Sequence, residues 1–158
     1  MEKENYSFDY QLDHIDEHIL ALLVENAKLG SKEIASSVGL TVTPTYERIR
    51  RLEKRGFIKR YKAVLDKKKM GKNLRVLCNV QLKSHAAEFI ESFESQVIEL
   101  SEVTSCFHIA GNFDYLLIID IVDMDEYAEF LKEKLASIPH IATVQSSFVM
   151  HALKDNDF

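Results

Sequence analysis

Up to Gly56 the apolar residues of this 158-residue chain recur at helical spacing, whereas from Leu74 onward they first recur at every second position. A period of 3.6 buries one stripe of a helix and a period of two buries one face of a sheet. Two structural regimes therefore share one chain, and the fold class expected is α+β. The change falls in DKKKMGKN, residues 66–73. Before it, Ile15, Ile19, Leu22 and Leu23 lie on one face of a helix within Leu12 to Asn26, with Asp13 and Asp16 near its amino end, where carboxylates are favoured. Ser31 is placed to cap a short second helix carrying Ile34, Ala35 and Val38, which Gly39 stops. Thr41 is placed to cap a third, with Pro44 in its first turn, Ile49 and Leu52 inward, and Gly56 at its end. Three helices with such short connections predict a helix-turn-helix unit, winged-helix-like in class. Phe57 to Asp66 alternates loosely and predicts a strand leaving that unit.

Beyond residue 73, Leu74, Val76, Cys78, Val80 and Leu82 predict a half-buried strand, and Phe89, Ile90, Phe93 and Val97 a helix over Ala86 to Leu100. Val103 to Ala110 and Phe113 to Val122 predict two strands joined tightly at Gly111 and Asn112, a pair suited to positive φ. Met124 to Ile138 predicts one helix and Ile141 to Leu153 a last strand. The order βαββαβ is that of a ferredoxin-like domain. The expected divisions are 1–57 for the helix-turn-helix domain, 58–72 for the linker strand and loop, and 73–158 for the ferredoxin-like domain.

The net charge of −5 hides a lopsided distribution. Residues 1–47 hold three basic and nine acidic side chains, residues 48–75 hold thirteen and two, and residues 76–158 hold four and fourteen. A field of that strength over 28 residues attracts a polyanion even on an acidic molecule. With Ile49 inward, about 100 degrees per residue puts Val42, Thr45 and Leu52 on its side and Thr43, Pro44, Glu47, Arg48, Arg51, Lys54 and Arg55 on the other. In a helix-turn-helix the second helix of the motif enters the major groove. Thr43, Pro44 and Arg48 or Arg51 are then the expected base readers, and Arg50, Lys54, Arg55, Lys59 and Arg60 the phosphate contacts. The DNA-facing set is Thr43, Pro44, Thr45, Glu47, Arg48, Arg50, Arg51, Lys54 and Arg55, and the acidic first helix is expected to be held away from the DNA backbone.

Other classes fit less well. No apolar run is long enough to span a bilayer, and Met1 to Asp9 has three acids and no apolar core, so a cytoplasmic protein is expected. Cys78 and Cys106 read as reduced, packed thiols rather than a disulfide or zinc knuckle. His14 and His18 lack the glutamate of HExxH, and Cys106, His108 and Asp114 do not assemble a nucleophile and base, so neither metal, cofactor nor catalysis is expected. An RNA-binding sheet needs basic and stacking residues, whereas the strand FDYLLIIDIV is apolar and its half is acidic. That strand calls for another sheet against it. Gly111, Asn112, Phe113, Asp114 and Tyr115 form a turn whose backbone donors and carboxylate suit a free amino acid. A non-DNA-binding sensor or regulatory subunit with an ACT-like domain is the alternative reading.

The runs LDHIDEHILALL, SKEIASSVGLTVTPTYERIRRLEKRGFIKRY and AGNFDYLL resemble the leucine-responsive regulatory protein and asparagine-regulator (Lrp/AsnC) family over nearly the whole chain. ERIRRLEKRGFI and GNFDYLL are the most specific pieces. The resemblance implies a DNA-binding domain, a linker strand, and a ferredoxin-like domain that dimerises and senses amino acids. It further implies homodimers assembling into tetramers, octamers or larger rings, with double-stranded DNA and a small effector as partners. The effector would lie between dimers against the 111–115 turn and the last strand, which adds Gln145, Ser146 and Ser147. Two departures stand out: Thr41-Val42 where Ser-Pro is frequent, and Asn112 where Asp is frequent.

Overall fold

The structure, a computed structural model, describes residues 10–155. The leader reading of Met1 to Asp9 lies outside those residues. The chain forms two compact units that divide between Ala63 and Val64.

The first unit holds helices α1 (His14–Glu25), α2 (Ser31–Val38) and α3 (Val42–Lys54). Ile19, Leu23, Ile34, Ile49 and Leu52 form its core, with Leu12, Ile15, Leu22, Val38 and Ile58 packed around them. Asp13 caps α1, its side chain accepting the Asp16 N–H. Ser31 does not cap α2 as expected. Gly30 takes that place, and the Glu33 carboxylate three residues on accepts the Gly30 N–H at 2.8 Å, which satisfies a free donor as a serine hydroxyl would. Thr41 does occupy the cap of α3, but its hydroxyl accepts no cap bond. Between α2 and α3, Gly39 adopts φ +70 and lets Leu40 N–H close on the Ala35 carbonyl at 3.0 Å, so the short turn depends on a residue without a Cβ. The strand expected over Phe57 to Asp66 is not formed. A strand exists only where a neighbour takes its backbone bonds; Phe57 and Ile58 N–H instead bond the Leu52 carbonyl, closing α3.

The second unit runs β1 (Leu74–Leu82), α4 (Ala87–Val97), β2 (Val103–His108), β3 (Tyr115–Ile121), α5 (Met124–Glu129) and β4 (Ile141–Phe148). The four strands form one antiparallel sheet in the order β2-β3-β1-β4, the ferredoxin-like arrangement. Val76, Cys78, Val80, Leu117 and Ile119 on one face pack with Phe93, Val97, Tyr127, Phe130 and Leu135. The opposite face carries Leu77, Phe107, Leu116 and Ile118, with Phe107 exposed and the others half-buried. At one end of that face Asp120, only 3% exposed, takes bonds from Arg75 Nε at 2.7 Å, Lys67 Nζ at 2.5 Å and Thr104 Oγ1 at 3.1 Å. Burial pushes its carboxyl up, but the two cations outweigh this and hold it below the usual carboxylate value.

Three further expectations are corrected. The helix from Met124 is α-helical only to Glu129, then makes a π turn over Phe130–Lys134 and a 3₁₀ turn over Leu135–Ser137. The wider turn lets Phe130 and Leu135, five residues apart, both reach the core. The hairpin at Gly111 and Asn112 is not a two-residue turn either: β2 and β3 are joined by residues 109–114, in which Gly111 alone has positive φ, +147. The last strand ends at Phe148 rather than Leu153.

Candidate DNA interface and effector loop

The α3 side chains separate into two stripes. Thr43, Tyr46, Glu47, Arg50 and Lys54 are exposed and line one shallow hollow. Positions 43, 46, 50 and 54, and likewise 43, 47, 50 and 54, follow one another at three or four residues and so share one side of the helix. Tyr46 was missed by the wheel, and the Arg50 guanidinium lies 5.9 Å from its ring centre. Pro44 is half-buried in the first turn.

The second stripe is Arg48, Arg51 and Arg55, which turns toward α1 and Tyr10. Arg48 Nη1 lies 2.7 Å from Asp13 Oδ2 and 2.7 Å from Asp16 Oδ1, and its side chain is 22% exposed. Arg51 Nη2 lies 3.6 Å from Asp16, and the Arg51 and Arg55 guanidinium groups sit 5.0 and 4.5 Å from the Tyr10 ring centre. Arg48 is therefore not the freely exposed side chain expected of a base reader, because a buried carboxylate across the helix pair attracts it. Thr45 is corrected more fully: it is buried, and its Oγ1 donates to the Thr41 carbonyl at 2.9 Å. Burial of Asp16 acts to raise its carboxyl, but hydrogen bonds from Tyr10 and Arg48 prevail and hold it below the usual value.

In the second unit the loop 109–114 is closed by Ile109 N–H on the Asp114 carbonyl at 2.8 Å and Asp114 N–H on the Val80 carbonyl at 3.0 Å. Gly111 and Asn112 are exposed and Phe113 is half-buried. Asp114 is not open to a ligand ammonium as expected. Its Oδ2 accepts the Leu82 N–H at 2.7 Å and its Oδ1 pairs with His85 Nε2 at 2.7 Å. Tyr115 is buried, stacked 4.6 Å from His108, with its hydroxyl on Glu94 Oε1 at 2.9 Å. Gln145 and Ser147 are exposed on β4, whereas Ser146 points to the helix side and bonds the Tyr127 hydroxyl at 2.6 Å. Alternation along one strand separates these three neighbours.

A family model described as the Lrp/AsnC ligand binding domain matches residues 75–157, and one described as winged helix-turn-helix DNA-binding matches residues 12–59. The chain belongs to the Lrp/AsnC family. Among curated Lrp/AsnC relatives, the Bkd operon transcriptional regulator of Pseudomonas aeruginosa is 34% identical over 143 residues, covering 90% of this chain and 94% of that protein. The leucine-responsive regulatory protein of Klebsiella pneumoniae is 36% identical over 146 residues, covering 92% and 89%. A transcriptional regulator of Neisseria meningitidis, solved as a complex with L-Met, superposes with a TM-score of 0.88 at 32% identity, covering 92% and 94%. This Lrp/AsnC chain is thus a DNA-binding transcriptional regulator joining a helix-turn-helix unit to a ligand-binding domain. Among the described residues, no helix is long and apolar enough to cross a membrane.

Proposed function

We propose that the outer stripe of α3 reads DNA, that the ligand-binding domain takes a free amino acid at the 109–114 loop, and that the two act through a homo-oligomer. The observation that carries this reading is the outer stripe itself: Arg50 and Lys54 with Thr43 and Tyr46, all exposed on the second helix of the motif. Thr43 and Pro44 at its amino end are the side chains nearest base edges in such a docking, and Arg50 and Lys54 supply phosphate contacts. Residues 58–72 serve as the link to the domain beginning at 73, and the protein works in the cytoplasm with its DNA.

Amino-acid binding is supported by the exposed Gly111 and Asn112, whose backbone N–H groups suit a ligand carboxylate, and by the L-Met complex of the Neisseria relative. Asp114 serves as the brace of this loop rather than the ammonium acceptor. Pairing through the apolar sheet face of Leu77, Phe107, Leu116 and Ile118 supports a homodimer, and larger assemblies place Gln145 and Ser147 against a neighbour's loop. A ligand between dimers shifts DNA affinity as far as it binds one assembly better than another. The test is a thermal-shift screen of the twenty amino acids followed by operator titration with the hit. A specific stabilisation that also changes operator affinity is the expected result; stabilisation by no amino acid overturns the effector reading.

A further inference from the structure

Asp13, Asp16, Arg48 and Arg51 form one cluster of four formal charges that cancel, on the flank of α3 next to its outer stripe. The two acids are not equivalent. Asp16 is fully buried and needs a cation. Asp13 is 44% exposed and has two separate tasks, one per oxygen: Oδ1 accepts the Asp16 N–H at 2.8 Å and caps α1, while Oδ2 reaches Arg48 at 2.7 Å. Only the second task needs a charge, since a neutral asparagine or serine also caps a helix. The negative charge of Asp13 is therefore surplus to folding, and it stands beside a surface that meets a polyanion.

We propose that Asp13 acts as a brake on sequence-independent DNA binding: it holds Arg48 against α1 and balances its charge, so that the cluster adds no net positive charge beside the outer stripe. Three arginines on α3 suit a helix that must bind tightly only where bases also match, provided that the inner ones are neutralised. Each cation that reaches phosphate adds about 0.9 to the slope of log affinity against log salt. With Asp13 neutral, the cluster gains one uncompensated positive charge. The inference rests on α3 being the DNA interface, and the experiment separates the two.

The full chain is titrated onto a random-sequence duplex over a salt series, as wild type, Asp13→Asn, Asp13→Ser, Arg48→Gln and Asp13→Asn/Arg48→Gln, with thermal melting of each. Both Asp13 variants are expected to bind random DNA more tightly at low salt, with a slope steeper by about 0.9 per engaged protomer. Arg48→Gln is expected to be shallower than wild type, and the double variant to return to the wild-type slope, because its cluster is again neutral. An unchanged slope in both Asp13 variants overturns the proposal, as does a double variant as steep as Asp13→Asn. In parallel, Arg50→Ala and Lys54→Ala flatten the slope if α3 is the interface; unchanged slopes there reject that interface independently of Asp13.

Discussion

Asp16 shows how much one side chain decides. A carboxylate with no exposure is stabilising only while its partners hold it, and here Tyr10, Arg48 and the capping turn at Asp13 surround it. Its carboxyl is held below the ordinary value, so the folded state binds its proton more weakly than the unfolded state does. The stabilisation is therefore present above the usual carboxylate value and is lost as pH falls through the lower, folded value. Asp16→Asn is expected to cost about 3 kcal/mol at pH 7, measured as a urea midpoint, and that difference from wild type narrows in acid. Asp114, also held below the ordinary value by the Leu82 N–H and His85 against a burial effect that raises it, follows the same sign. Asp114→Asn removes a charged acceptor from the loop and is expected to cost about 1 to 2 kcal/mol at neutral pH, with amino-acid binding weakened through a looser loop. Neither role was legible in the sequence. A helical wheel ranks the residues of one helix against each other, and it cannot register that an acid on α1 recruits Arg48 from α3.

Elements were read better than the contacts between them. The periods of the apolar residues located every helix and four of the five strands expected, because burial of one stripe or one face is a local pattern. The expected strand over Phe57 to Asp66 failed for a non-local reason: alternation marks a segment able to pair, and pairing needs a neighbour. The π turn after Glu129 was hidden for the opposite reason. Tyr127, Phe130 and Leu135 are buried, the same residues whose spacing predicts an ordinary helix, so the apolar pattern carries no sign of a wide turn. Gly39 offers a clean test of the turn between α2 and α3. Nothing lies within 4 Å of a Cβ built there, so Gly39→Ala meets only the backbone cost of positive φ, about 1 kcal/mol. Melting of the full chain checks this. On α3, Lys54→Ala is expected to weaken operator and random duplexes alike, whereas Thr43→Ala acts more on the operator, as competition binding will show.

The whole molecule is a helical unit with its own core and a sheet unit whose helix-free face carries an apolar patch. The charge asymmetry made the division of labour legible, since the basic segment begins on α3 and the acidic half begins with the sheet. The apolar face was legible in FDYLLIIDIV, while the set of side chains sharing it, Leu77 with Phe107, Leu116 and Ile118, required the strand register. Ile118→Asp places a charge in the centre of that face and is expected to turn the proposed dimer into monomers in sedimentation velocity. A wild-type protein that is already monomeric at micromolar concentration rejects the dimer. The same face has a thermodynamic consequence for anyone handling the protein. When apolar area is covered only by a second copy, association adds to folding through mass action. The melting temperature then rises with the amount of chain in the tube, and dilution alone becomes a mild denaturant.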